Sequence, residues 1–314
     1  MSMRALGIDT SNYTTSAAVF DGAEGFNAGK LLSVRPGELG LRQSDALFQH
    51  VKALPGRLAE LRQAGWLEGL AAVGVSTRPR AVEGSYMPCF LAGESAARSV
   101  ALALDLPCYP FSHQQGHLAA AAWSAGRTGL LDRPLLAWHL SGGTTELLYV
   151  EPDGAAVRAE AIGGSSDISA GQLIDRTGVL LGLDFPAGKA LDELSEAQGP
   201  VRGFNVKLNG LTFSLSGMEN QVKARAEQGA SRGEIARFVL ETVADVVRRA
   251  TLAALERHPG LPVLCSGGVA SSRRLRAVLE PACGAVFARP AYSTDNAMGT
   301  AILALRRWER EADA

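Results

Sequence analysis

With 314 residues, 46% of them hydrophobic and 20% charged, the chain has an ordinary globular make-up and room for two lobes of about 150 residues each. A formal net charge of −1 excludes a global electrostatic footprint for nucleic acid, so any RNA contact must be local or supplied by partners. Four scattered cysteines without CxxC spacing exclude a zinc ribbon and a disulfide framework, and no apolar run reaches the ~20 residues of a membrane span.

Taken in chain order, residues 6–9 (LGID) read as a short buried strand and 16–20 (SAAVF) as its hairpin partner. The intervening TSNYTT is a turn rich in hydroxyl and amide groups. Leu47, Val51, Leu54, Leu58 and Leu61 recur at helical spacing and predict a helix over 44–61. A strand over 72–76 and a helix over 93–104 follow. The pattern then recurs: an apolar strand at 134–140, a polar turn SGGTT, and a return strand at 146–150. Helices are predicted over 169–181, 216–227, 232–257, 271–279 and 295–310, and a strand over 262–265 runs into Ser266-Gly267-Gly268. Strands alternating with helices predict an α/β fold. The repeated strand–turn–strand unit predicts a duplicated architecture of two sheet-centred lobes facing a cleft.

Two kinds of turn and one histidine pair carry the chemistry. Ser141-Gly142-Gly143-Thr144-Thr145 and Ser266-Gly267-Gly268 each follow a predicted strand, where glycine lets backbone N–H groups approach a phosphate. Either is also an ordinary tight turn. Neither matches GxxxxGK[ST] or GxGxxG, which disfavours P-loop and Rossmann readings. His113 and His117 in SHQQGH stand four apart, on one face of a helix, so they can share a metal ion or simply open a helix as polar residues. Spacing alone favours the second reading. A third ligand must come from elsewhere, and Asp295 in STDNAMG is a plausible oxygen donor at a strand–helix junction. The motif lacks the glutamate of HExxH, so a zinc protease is disfavoured. Asp175 and Asp192 flank GLDFPAGK and read either as helix-end charges or as acceptors of ribose hydroxyls. The other histidines have simpler readings: His50 on a polar helix face, His139 in an apolar strand, and His258 near a helix C-terminus, where a cation is favoured.

Together these pieces resemble the tRNA threonylcarbamoyladenosine synthase family, the TsaD/Gcp type once described as O-sialoglycoprotein endopeptidases. SHQQGH resembles its NHxxGH motif, LSGGTTEL its VSGGHTQL turn, and AGQLIDRTGVLLGLDFPAGKALDEL its AGEAFDKxAKLLGLxYPGGPxLEKL stretch. LTFSLSGMENQV, CSGGVASSRRLR and YSTDNAMG resemble FSFSGLKTAV, GGVAANRRLR and xCTDNAAM, in the same order. The resemblance implies the two-lobed actin/Hsp70/sugar-kinase (ASKHA) fold, with an N-terminal lobe of 1–133 and 296–314, a C-terminal lobe of 134–295 and an interlobe cleft. It implies one divalent metal, iron or zinc, on His113, His117 and Asp295. ATP or threonylcarbamoyl-adenylate would meet Leu140, Ser141, Gly142, Gly143, Thr144, Asp175, Gly188, Asp192, Gly267, Gly268 and Ser272, with first-turn contacts from Asp9, Ser11 and Asn12. The implied reaction is transfer of a threonylcarbamoyl group to the N6 amine of the tRNA adenosine beside the anticodon. The implied partners are tRNA, a paralogous subunit of the same fold and an ATPase or kinase subunit. With neither a long apolar h-region at MSMRALGIDTS nor a spanning apolar run, the cytoplasm, away from membranes, is the expected location.

The chain departs from the family pattern at defined places. The opening ESSCDET is DTSNYTT here, which puts Asp9 where the family has Glu, and Tyr13 and Thr14 where it has an acidic pair. A GPGL turn is replaced by RPRAVEG at 78–84. Thr144, Ser272, Ala187 and Lys189 stand at the family's histidine, asparagine, glycine and proline. Two alternatives therefore accompany the transferase: a diverged paralogue that binds nucleotide and metal as a non-transferase partner or scaffold, and a small-molecule kinase on the same fold. Tyr13 counts against the kinase, which needs an acidic base in that turn.

Overall fold

The computed structural model describes residues 3–11, 13–34 and 41–314. Asn12, named above as a first-turn contact, lies outside the described residues. By its contacts the chain divides into unit 1, comprising Met1–Asp132, Glu151–Ala159 and Thr294–Ala314, and unit 2, comprising Arg133–Val150 and Glu160–Ser293. The expected lobe 134–295 thus gives up a hairpin tip and its last two residues to unit 1.

Unit 1 is built on β1 (Arg4–Asp9), β2 (Thr14–Phe20), β3 (Gly25–Leu31), α1 (Gln43–Gln63), β4 (Leu70–Arg78), α2 (Phe90–Ala103), β5 (Cys108–Ser112) and α3 (His113–Ser124). Its sheet runs β3-β2-β1-β4-β5, antiparallel from β3 to β1 and parallel from β1 to β5. Alternation along β1 decides what each face meets. Leu6 and Ile8 join Val73 and Val75 in a core with Leu54 and Leu61 of α1 and Ala97 of α2. The opposite face offers Gly7 and Gly74, and it receives the last helix.

Unit 2 repeats the plan with β6 (Leu135–Leu140), β7 (Thr145–Asp153), β8 (Ala156–Ser165), α4 (Ala170–Leu180), α5 (Gly188–Glu196), β9 (Leu208–Asn209), β10 (Thr212–Phe213), α6 (Gly217–Glu227), α7 (Arg232–Arg257), β11 (Val263–Ser266), α8 (Arg273–Cys283) and β12 (Val286–Phe287). Its sheet runs β12-β11-β6-β7-β8-β10-β9. The stretch β8-β7-β6-β11-β12 follows the order of β3-β2-β1-β4-β5, so the architecture is duplicated. Trp138, Leu147, Leu173, Phe238 and Val247 are among the buried side chains of its core.

The chain returns to unit 1 with α9 (Met298–Ala312). A Cβ at Gly7 would lie 2.5 Å from Ala297 O and Ala301 N, and one at Gly74 would lie 2.7 Å from Thr300 O. Two glycines thus let α9 lie directly on the backbones of β1 and β4. The predicted helix over 295–310 begins three residues later than expected. Asn296 Oδ1 accepts the Met298 N–H at 3.0 Å, and the Ala297 N–H turns to Asn27 Oδ1 at 3.1 Å, so side chains take the two backbone donors at the helix start. Asp295 stays in the preceding loop.

His50 corrects an expectation. It is fully buried, and its Nδ1 sits 2.8 Å from Thr15 Oγ1, because the face of α1 that carries it packs on β2. β3, β5, β8, β9, β10, β12 and α5 went unread in the sequence. β3 is half exposed and rich in glycine, β5 contains Pro110, and β9, β10 and β12 have two residues each. Among the described residues, no helix is long and apolar enough to cross a membrane.

Candidate functional site

Every residue of SHQQGH has a structural task in unit 1. Ser112 is the N-cap of α3: its Oγ accepts the Gln115 N–H at 3.2 Å, while Gln115 Oε1 accepts the Ser112 N–H at 2.8 Å. Gln115 Nε2 also donates to Val157 O at 2.8 Å, which ties the helix start to the hairpin tip. The Gln114 N–H is taken by Pro79 O at 3.0 Å. Gly116 faces α9, where a Cβ would lie 3.1 Å from Thr300 Oγ1. The remaining two residues are the histidines. One helical turn apart, their rings lie 4.2 Å between centroids and 74° between planes.

Asp295 meets both. Its Oδ1 is 3.4 Å from His113 Nε2 and 3.3 Å from His117 Nε2, and the three donor atoms all lie within 4.8 Å of one another. A tetrahedral ion with ligand bonds of ~2.1 Å needs donors ~3.4 Å apart. A carboxylate oxygen at that spacing from two imidazole nitrogens, all partly buried, fits a divalent cation. Behind them, Asp9 Oδ2 lies 2.8 Å from His113 Nδ1. Burial alone would lower the His113 pKa, but the charge of Asp9 and the hydrogen bonds to Asp295 and Asp9 outweigh it and push it up to about 10. For Asp295, burial works upward, and hydrogen bonds from His113 and His117 reverse it and hold the carboxyl well below the usual range.

Unit 2 has a pocket of about 700 Å³, lined among others by Gly142, Ile174, Asp175, Gly188, Val269 and Ser272. Its size suits a nucleotide-sized ligand. Close contacts fix the two glycine turns, each of which gives the pocket a lining residue, Gly142 and Gly268. Gly267 has φ +97°, and a Cβ there would lie 2.1 Å from Leu140 O, so the turn after β11 presses on the end of β6. Ser169 caps α4, and its hydroxyl donates to Gly142 O at 2.6 Å, binding the SGGTT turn to a helix N-terminus. Asp175 Oδ1 accepts the Ala187 N–H at 2.9 Å, which fixes the loop leading into α5.

A family model described as TsaD, tRNA N6-adenosine threonylcarbamoyltransferase, matches residues 46–302. The chain belongs to this family. Solved structures give the same fold at low identity. Component A of (R)-2-hydroxyglutaryl-CoA dehydratase from Acidaminococcus fermentans aligns over 99% of this chain and 100% of its own, at TM-score 0.56 and 18% identity. A ROK hexokinase from Thermus thermophilus aligns over 99% and 100%, at TM-score 0.55 and 16% identity. HypF from T. kodakarensis aligns over 98% of this chain but 48% of its own, at TM-score 0.60 and 15% identity, so the chain spans about half of that protein. These are proteins of the actin/Hsp70/sugar-kinase fold, and this TsaD-family chain shares it.

The residues named from the sequence separate into groups in this TsaD-family chain. His113, His117 and Asp295 come together. Gly142, Asp175, Gly188, Asp192, Gly268 and Ser272 all line the unit 2 pocket, with Ser141, Gly143, Thr144 and Gly267 in the adjoining turns. Leu140 differs: its side chain is fully buried in the unit 2 core, leaving only its backbone near the turn. Asp192 differs as well, since both oxygens are already engaged. Ser272 Oγ donates to Oδ1 at 2.6 Å, and the Arg273 N–H and Nε donate to Oδ2 at 3.2 and 3.1 Å. It clamps α5 to the start of α8. Asp9 and Ser11, expected to face a ligand, are 1% and 2% exposed; they bond to each other, and Asp9 also bonds to His113. The apolar lining from Leu240 and Pro290 carried no sequence signal, because neither belongs to a motif.

Proposed function

We propose that this chain transfers a threonylcarbamoyl group from threonylcarbamoyl-adenylate to the N6 amine of the tRNA adenosine beside the anticodon. The observation that carries the reading is the convergence of His113 Nε2, His117 Nε2 and Asp295 Oδ1 in a chain of the TsaD family. His113, His117 and Asp295 would hold one divalent ion, iron or zinc. Bound there, it would supply Lewis-acid polarisation of the substrate's oxygens.

The chain's other residues do the positioning. The SGGTT turn and Gly268 would offer backbone N–H groups to the phosphate of the adenylate, at the N-terminus of α4. Asp175 and Gly188 would meet its nucleoside beside Ile174 and Val269. In the step itself, the N6 nitrogen bonds to the carbamoyl carbon, the carbon–oxygen bond to phosphate breaks, AMP departs and the amine loses a proton. Such a transfer depends on orientation and charge stabilisation and needs no covalent nucleophile. With a net charge of −1, the chain would take tRNA together with partner subunits, in keeping with the paralogous and ATPase or kinase partners that the family resemblance implies.

One observation favours a second reading, a non-transferase paralogue. Tyr13 and Thr14 stand where the family's opening has its acidic pair, so no carboxylate of that turn can orient the attacking amine. The test is to incubate the chain with threonylcarbamoyl-adenylate and unmodified tRNA, with and without partner subunits, and to digest the RNA for mass spectrometry. Threonylcarbamoyladenosine that vanishes with Asp295→Ala supports the transferase. Retained metal and nucleotide binding without product, in every combination, overturns it in favour of the paralogue.

A further inference from the structure

Asp9 closes β1 with a carboxylate that is 1% exposed and surrounded by donors. Its Oδ1 accepts the Ser11 N–H at 2.9 Å and the Ser11 hydroxyl at 2.5 Å. Ser76 adds a further hydrogen bond, and its own hydroxyl lies 3.1 Å from Thr300 Oγ1 on α9. Oδ2 lies 2.8 Å from His113 Nδ1. An ionised carboxylate only accepts hydrogen bonds, so Nδ1 must carry a proton. The second ring nitrogen, Nε2, is the one that faces Asp295.

We propose that Asp9 is the positioning residue of the triad, holding His113 through Nδ1–H so that Nε2 is the atom offered to a metal ion. The inference rests on the metal reading above and assigns Asp9 a role other than the ligand contact expected of the first turn. A metal-binding imidazole whose far nitrogen donates to a carboxylate is fixed in both tautomer and ring orientation, and loss of such a partner weakens metal affinity by about 10–100-fold. Ser11, Ser76 and Thr300 in turn hold Asp9, so the orientation of His113 is set by β1, β4 and α9 together.

Asp9→Asn separates this role from shape. Ser11 aims two donors at one oxygen, so the amide oxygen stays there and the NH2 group turns to His113. Nδ1 must then accept, the proton moves to Nε2, and the lone pair aimed at Asp295 is lost. The experiment uses the full chain with 15N-histidine labelling and zinc as the probe, with His113 assigned by His113→Gln. We expect the zinc-loaded protein to show His113 protonated at Nδ1, with a downfield, hydrogen-bonded proton. Asp9→Asn should lose that proton and weaken zinc binding by about 10–100-fold in a chelator competition. An unprotonated Nδ1 in the zinc-loaded native chain, which needs no variant to fold, overturns the proposal. So does a folded Asp9→Asn variant with native zinc affinity. Failure of the native chain to bind zinc sinks the metal reading instead; in the zinc-free chain a downfield, hydrogen-bonded Nδ1 proton that Asp9→Asn loses still shows Asp9 holding His113, and one that Asp9→Asn leaves unchanged overturns it.

Discussion

Gly299→Ala tests whether the α3–α9 crossing builds the histidine–aspartate cluster. A Cβ at Gly299 would lie 1.7 Å from Gly116 O, 2.5 Å from Gly116 C and 2.9 Å from Ala120 N. Non-bonded heavy atoms settle near 3.5 Å, so the two helices must part by roughly 1.5–2 Å. His113 and His117 ride on α3 to either side of Gly116, whereas Asp295 is tied to the start of α9 through its neighbour Asn296. Ligand distances tolerate only about 0.2 Å, so a displacement of that size takes at least one donor out of reach. In an open helix, glycine to alanine stabilises by about 1 kcal/mol. Here the clash is with backbone, and overpacking of this kind costs about 1–3 kcal/mol, occasionally more. Because the clash is with backbone rather than a flexible side-chain end, we expect a net loss of about 1–2 kcal/mol in stability and a zinc dissociation constant raised about tenfold or more, each tenfold being about 1.4 kcal/mol. Chelator competition and thermal melts followed by circular dichroism measure both. Gly116→Ala is the graded control: its Cβ meets only Thr300, at 3.1 and 3.6 Å, and should change either quantity little. A Gly299→Ala protein with native zinc affinity and an unchanged melting temperature would refute the reasoning.

Zinc at about 100 times its dissociation constant should stabilise the native chain by about 2.7 kcal/mol. A chelator should reverse the rise in melting temperature, and Asp295→Ala or His117→Ala should not show it. In unit 2, Gly267→Ala places a Cβ 2.1 Å from Leu140 O at a φ of +97°. It should destabilise by about 2–3 kcal/mol and weaken ATP binding in calorimetry, whereas Gly268→Ala, with nothing within 4 Å of its added carbon, should leave stability unchanged. Asp167 accepts hydrogen bonds from Ser214 Oγ at 2.5 Å and the Leu215 N–H at 2.9 Å. Burial works the other way, but these bonds hold its carboxyl below the usual range. A depressed folded-state pKa contributes stability above about pH 4 that is lost as pH falls below it. Asp167→Asn should therefore flatten the acid limb of a pH–stability curve, by no more than about 1 kcal/mol because the group is exposed.

Local patterns in the sequence carried most of the helices. α7 matches its predicted range of 232–257 because Ser231 caps it and apolar residues recur at helical spacing through 26 residues. The first strands were legible as short apolar runs beside turn residues. The two-residue strands β9, β10 and β12 were not, because nothing so short has a period. They exist only through pairing, β10 with β8, β9 with β10 and β12 with β11.

The same division holds for the site. The capping box of SHQQGH, the glycine turns and the order of the motifs are local or linear properties, so residue types and spacing carry them, and with them the family and the duplicated α/β plan. Whether two histidines near a helix start become a metal site is a question of what lies across from them. His113 and Asp295 are 182 positions apart by number, and only the approach of α9 onto α3, through Gly116 and Gly299, joins them. Asp9 shows the limit most clearly. As a residue in a polar turn it reads as a ligand contact. Folded against Ser11, Ser76 and His113 it is a buried acceptor, because its surroundings come from β1, β4 and α3 at once, and no stretch of sequence contains them together.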